Sequence, residues 1–226
     1  MKAVKGLFAV AALMMVLSAC GLIGGIIGPQ PITDPLGVDK LDTASVDIGS
    51  VSPTAIGTLA SFGSETVSAT FDDIDPVDLR GFTPNQIVEK VGLTNTVTVS
   101  TADASTLPEN FTLSGLTLDF ILFDVSDPAG VTPDSVTFDG SLAYAKDAAS
   151  CTATDCSYTL TGNDIDLSAL WTVVVSNAAK AYALVTSGGM NTVQATLSLT
   201  TNSTPELAGS TITFDLQAGA ATISVH

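Results

Sequence analysis

Apolar and polar residues alternate along nine stretches of the chain: Ser45 to Ser50, Thr66 to Phe71, Asn95 to Thr101, Phe111 to Val125, Val136 to Ala145, Ser157 to Thr161, Asn191 to Thr200, Ser210 to Leu216 and Ala220 to Val225. Such alternation turns one face of an extended strand to a core and the other to water. Gly, Pro, Asn or Asp bounds each stretch, so each is predicted to be a β-strand. In the longest, Leu116, Leu118, Phe120, Leu122 and Val125 nearly alternate with Thr117, Asp119 and Asp124, while Ile121 and Phe123 place apolar groups on the second face. That pattern predicts a central strand covered on both sides.

Two segments switch to helical signals. Thr83-Pro84-Asn85-Gln86 has the form of a capping box with Pro at the first helical position, and Gly92 can end the helix it opens. In the second, Leu167, Leu170, Trp171, Val174, Ala178, Tyr182 and Val185 mark one face and Ser168, Thr172, Ser176 and Lys180 the other. Asp166 can cap its start and Gly188-Gly189 its end. Val173 to Val175 also fit a strand.

The two halves echo each other in order. Ser45-Val46 and Ser135-Val136 open strands, and Asp73-Ile74-Asp75 and Asp164-Ile165-Asp166 precede the helical segments. Asn95-Thr96-Val97 and Asn191-Thr192-Val193 follow those segments. Pro108-Glu109 and Pro205-Glu206 occupy the next turn, and Thr117 to Phe120 and Thr211 to Phe214 the next strand. Five ordered matches predict an internal duplication with halves 43–125 and 133–226, each holding one helix entered through Asp-Ile-Asp. The expected fold is mainly β with one or two helices, an antiparallel sandwich built of two related halves.

Composition agrees with this. Hydrophobic residues make up 46% of the chain, too many for a disordered segment. Thr and Val, whose branched Cβ suits a pleated surface, are abundant. The formal charge is −16, from 7 basic and 23 acidic residues. This field repels phosphates and argues against a nucleic-acid partner, while favouring a cation or a basic partner.

The first residues form a separate unit. Lys2 and Lys5 start it, Leu7 to Leu17 is an apolar run, and Leu17-Ser18-Ala19-Cys20 closes it. The run has signal-peptide length and is short for a membrane span. Its ending resembles the lipobox of bacterial lipoproteins. That resemblance implies cleavage before Cys20, diacylglycerol on the Cys20 sulfur and acylation of the new amino group, giving a lipid-anchored envelope protein. Gly21 rather than Asp after the lipidated Cys points to the outer membrane over the inner. The chain thus divides into a leader (1–19), a lipidated Cys with a Gly/Pro-rich tether (20–42) and a β-rich mature region (43–226). Leu22, Ile23, Ile26 and Ile27 are apolar enough to rest in the membrane interface.

Cys151 and Cys156 bracket Thr-Ala-Thr-Asp. In an oxidising compartment this pair is expected to form a disulfide that pins a hairpin. A metal site at these cysteines lacks a partner, because the single histidine is His226 at the end of the chain. The same histidine is poorly placed for nucleophilic catalysis, and no nucleophile elbow, P-loop or dinucleotide motif occurs.

The densest acidic cluster is Asp72, Asp73, Asp75 and Asp78. Hard oxygen ligands at this spacing are a candidate Ca²⁺ site. The competing expectation is that Asp75 caps a helical turn starting at Pro76 while the others face solvent. Asp124, Asp127, Asp134 and Asp139 form a second, more scattered candidate. The resulting expectation is a membrane-anchored, non-enzymatic binding or structural module, with an envelope protein or surface polymer as partner. The alternatives are a carrier of an apolar ligand held between sheet and helix, and an envelope hydrolase.

Overall fold

The computed structural model describes residues 27–41, 43–48, 64–124, 127–131, 136–162, 165–199 and 205–226. The strands are β1 (Gln30–Ile32), β2 (Ala44–Asp47), β3 (Ser64–Asp72), β4 (Pro84–Leu93), β5 (Thr96–Ser100), β6 (Asn110–Asp124), β7 (Asp127–Val131), β8 (Val136–Lys146), β9 (Asp155–Leu160), β10 (Trp171–Val175), β11 (Met190–Leu199), β12 (Thr211–Phe214) and β13 (Leu216–Val225). Among the described residues one helix, α1 (Ala178–Val185), joins β10 to β11, and short 3₁₀ turns occur at Val38–Lys40, Ala104–Thr106, Leu167–Ala169 and Pro205–Leu207.

All pairings between these strands are antiparallel. A small sheet has the order β1-β13-β4-β10. A larger one runs β2-β12-β5-β9-β8-β6-β11-β3, with β7 attached to β6. Its last strand lies against its first, so the sheet curls almost into a barrel. The protein is therefore an antiparallel β-sandwich with a strongly curved larger sheet. Inward residues alternate as expected: Val193, Ala195, Leu197 and Leu199 of β11 are all buried. Trp171, Tyr144, Tyr158 and Phe214 are the bulkiest fully buried side chains. Phe111 stacks on Tyr144 with ring centroids 5.2 Å apart and meets Tyr158 at 4.7 Å. Outward positions carry hydroxyl pairs across strands, such as Thr66 with Thr196 at 2.8 Å.

Every alternating stretch contains a strand. The segment from Pro84 is a correction: it is β4, not a helix. Ile87, Glu89, Val91 and Leu93 point inward and are buried. An acidic residue on the core face hid the period of two. The second helical segment divides. Asp166 accepts a hydrogen bond from Ser168 N and heads a 3₁₀ turn. Trp171, Val173 and Val175 then alternate inward as β10, and the helix begins only at Ala178, capped by Asn177 accepting from Lys180 N. β-Branched residues in succession favour the pleat over the helix.

Naming the larger sheet's strands in two quartets, β2-β12-β5-β9 and β8-β6-β11-β3, brings out a correspondence. Strands β2, β3, β5 and β6 of the first half occupy the places that β8, β9, β11 and β12 occupy in the other quartet. The helix does not follow suit, since only Thr94 and Asn95 separate β4 from β5. Nor does each half form its own sandwich, because every quartet draws strands from both.

A further correction concerns residues 30–41, expected to be loose tether. They form β1 on the edge of the small sheet and a strap that buries Ile32, Leu36, Val38 and Leu41.

Cys151 and Cys156 are joined by a disulfide across the β8–β9 turn. The bridge closes a short loop, and loop-closure entropy for that length gives about 2 kcal/mol. Cys156→Ser is therefore expected to lower the denaturation midpoint by a corresponding amount, as measured by urea titration. Reduction of the wild type should reproduce the loss. An unchanged midpoint in both would mean the turn's hydrogen bonds hold it unaided.

Candidate functional site

The strap and the segment after β3 enclose a cleft of about 810 Å³. Strap residues reach it because Asp34 takes a left-handed conformation (φ 35°), which Asp tolerates better than most residues. Asp34 Oδ1 accepts from Val38 N at 2.7 Å and Oδ2 from Asp39 N at 3.1 Å, folding the strap back on itself. Gly37 follows at φ 69°, and the Phe71 ring packs so closely that a Cβ there would lie 2.4 Å from its carbons. A glycine is required on both counts.

Ile32 and Phe71 are buried and Ile74 and Val77 half-buried, forming an apolar floor. Asp39, Asp72 and Asp75 are exposed and stand around it with Asp34, and Lys40 is the cation on the same lining. Asp39 also accepts from Ala218 N at 3.2 Å, fastening the strap to β13. Asp72 and Asp75 have no hydrogen-bond or ion-pair partner among the described residues.

The predicted acidic cluster is thus split. Asp73 turns away from the cleft: its carboxylate accepts from Asn191 Nδ2 at 2.8 Å and from Gly188 N, pinning the segment after β3 to the end of α1. Asp78 accepts from Arg80 N at 2.9 Å in a local turn. Asp75 caps no helix, because the chain from Asp73 to Leu79 is irregular. Among the described residues no three His, Cys, Asp or Glu side chains converge as metal ligands, so the calcium expectation for Asp72, Asp73, Asp75 and Asp78 is not met. Of the second candidate set, Asp124 ends β6; Asp134 lies outside the described residues, as do the side chains of Asp127 and Asp139. Cys20 also lies outside them. His226 Nδ1 meets Asn85 Nδ2 at 3.3 Å at the exposed end of β13.

Sequence reading missed Asp34 and Glu89. Glu89 lies on the inward face of β4, fully buried, with Oε2 accepting from Leu36 N at 3.0 Å. Burial first, and the neighbouring Asp34 second, push its carboxyl far above the usual range; burial raises Asp34 as well. The one signal available was an acidic residue at a core position of an otherwise alternating segment.

The fold and cleft define an antiparallel β-sandwich with an acidic, apolar-floored groove at one end. No protein-family model matches the chain, and no curated protein is similar to it in sequence. Faint likenesses to solved structures exist. One, reported under "Prominent members of the human gut microbiota express endo-acting O-glycanases to initiate mucin breakdown", has 8% identity and a TM-score of 0.21, covering 87% of this chain and 88% of that one. Another, of Broad Bean Stain Virus, has 8% identity and a TM-score of 0.20, covering 82% and 91%. The Yersinia pseudotuberculosis-derived mitogen has 9% identity and a TM-score of 0.13, covering 62% and 89%. At these scores none bears on function.

Proposed function

We propose that the chain is a membrane-anchored lipoprotein of the cell envelope acting as a non-enzymatic binding module, and that the cleft takes a basic segment of an envelope protein or surface polymer. The observation that carries this reading is the cleft itself: four carboxylates, of which Asp72 and Asp75 have no partner among the described residues, stand around an apolar floor in a protein of formal charge −16. Complementary charge speeds encounter and selects partners, while apolar contact supplies affinity. The anchor is supported by Leu17-Ser18-Ala19-Cys20, with Gly21 favouring the outer membrane. The first strand among the described residues begins at Gln30, ten residues after Cys20, so at about 3.4 Å per residue the cleft wall would stay within roughly 35 Å of the lipid. No helix among the described residues is long and apolar enough to cross a membrane.

The carrier reading has less support, because Ala178, Ala181 and Val185 of α1 are buried in the core and the helix is packed as part of it.

Two measurements test the proposal. A lysine- and phenylalanine-rich peptide, titrated calorimetrically into the Cys20→Ser chain, should bind in a salt-dependent manner. The Asp39→Asn/Asp72→Asn/Asp75→Asn variant should bind at least tenfold more weakly. Equal affinity for both proteins, or no binding to either, overturns the cleft as the site. Mass spectrometry of the amino terminus from envelopes should find diacylated Cys20. An unmodified Cys20 overturns the anchor.

A further inference from the structure

Glu89 sits where a sandwich ordinarily places an aliphatic residue. Its β-sheet partners are Val173 of β10 and Ala221 of β13, and Ile87 and Val91 flank it on its own strand. One carboxyl oxygen, Oε2, accepts from Leu36 N. The other, Oε1, is buried with no N–H or hydroxyl donor to receive among the described residues. What faces Glu89 instead is a second carboxyl, Asp34, within hydrogen-bonding reach. Asp34 is already an acceptor on both oxygens, from Val38 N and Asp39 N.

Two ionised carboxylates in that position would repel each other and forfeit hydration at once. One proton removes both difficulties. Carried on Glu89, it turns one of the two facing acceptors into a donor and gives Asp34 a third hydrogen bond. The reverse placement fits less well, because Asp34 alone has two backbone N–H groups favouring its charged form.

Among the described residues no cation competes for the role. The charges acting on Glu89 are those of Asp34 and Asp39. Of the other groups on the packed elements, Lys90 and Lys40 are exposed. On α1, Lys180 Nζ donates to Gly130 O and Tyr182 OH to Val77 O.

We propose that Glu89 and Asp34 form a one-proton latch that fastens the strap into the sandwich, so that loss of the proton releases the strap and dismantles one wall of the cleft. The consequence for ligand binding rests on the cleft reading, but the latch itself does not.

The sign follows from linkage. The docked strap holds a proton on Glu89 that the undocked, hydrated carboxyl gives up in the ordinary carboxylate range. Docking is thus fully favoured below that range and weakens as pH rises through neutrality. Where only the docked form is protonated, each pH unit weakens docking tenfold.

The chain has four glutamates, Glu65, Glu89, Glu109 and Glu206, so ¹³C labelling of glutamate side-chain carboxyls in the full Cys20→Ser chain gives a resolvable test. At pH 7 one signal should remain at the protonated position and should vanish in Glu89→Gln. In parallel, hydrogen exchange at the Leu36 and Val38 amides, corrected for intrinsic rates, should lose about tenfold protection per pH unit between pH 6 and 9. Glu89→Gln supplies an amide donor to Asp34 that does not titrate, so its protection should be independent of pH. Four glutamate signals all ionising below pH 6, or wild-type protection flat across that range, overturns the latch. Failure of the cationic peptide to bind would leave both readouts unchanged and would count against the cleft alone.

Discussion

Cut between residues 131 and 132, the chain is expected to yield two fragments that are each unfolded alone and fold only when mixed. The reason is the interleaving of the strands. Of the eleven strand pairings, only β6–β7 and β8–β9 join strands on the same side of the cut. β5 lies between β12 and β9, and β11 between β6 and β3. In the small sheet β4 lies between β13 and β10. Each fragment alone would expose its strand edges and the core face that the other covers. The whole folding free energy of a domain, about 5–15 kcal/mol, is therefore at stake. Circular dichroism and proton NMR of each fragment should show no cooperative transition, and the mixture should recover one. A fragment with its own sigmoidal unfolding curve would refute the interleaved topology. The same wiring implies slow folding, since nearly all pairing is between distant segments.

Gly92→Ala should be the most damaging single methyl that can be added to β4. A Cβ at this position would lie 1.8 Å from Leu167 O and 2.4 Å from Ser168 Cα. Both are backbone atoms of the 3₁₀ turn that packs on the strand, so no side-chain rotation relieves the clash. Leu167 is 1% exposed and Trp171 follows within the same packed run. Displacing the turn therefore disturbs the core between the sheets. Overpacking of this kind costs about 3 kcal/mol, and in a domain of this size that lowers the melting temperature by about 6–12 °C. Gly28→Ala is the matched control, because nothing lies within 4 Å of a Cβ there. Calorimetry of the two variants decides: a Gly92→Ala melting point equal to that of the control would show that the turn retreats freely.

The sequence alone was informative wherever a local rule decided the outcome. Strict alternation located the strands from β2 to β13 that carry a clean apolar face, because the pleat has a period of two regardless of context. Two cysteines five residues apart could scarcely reach any other thiol, and they are bonded. Asp166 caps the turn after it because an Asp side chain finds a backbone N–H two residues on.

Tertiary structure decided what depends on partners far away in the chain. Whether Pro84 to Leu93 coils or extends was settled by β13 and β10, which supply its hydrogen bonds on both edges, and the period of two was masked by one acidic residue. The acidic cluster was legible as composition, but its division between a cleft wall and a pin on Asn191 came from packing of the segment after β3. Glu89 meets the strap 53 residues earlier at Leu36. Alternation says which face of a strand is buried; it does not say which strand lies alongside, nor which polar group a buried carboxyl will find there.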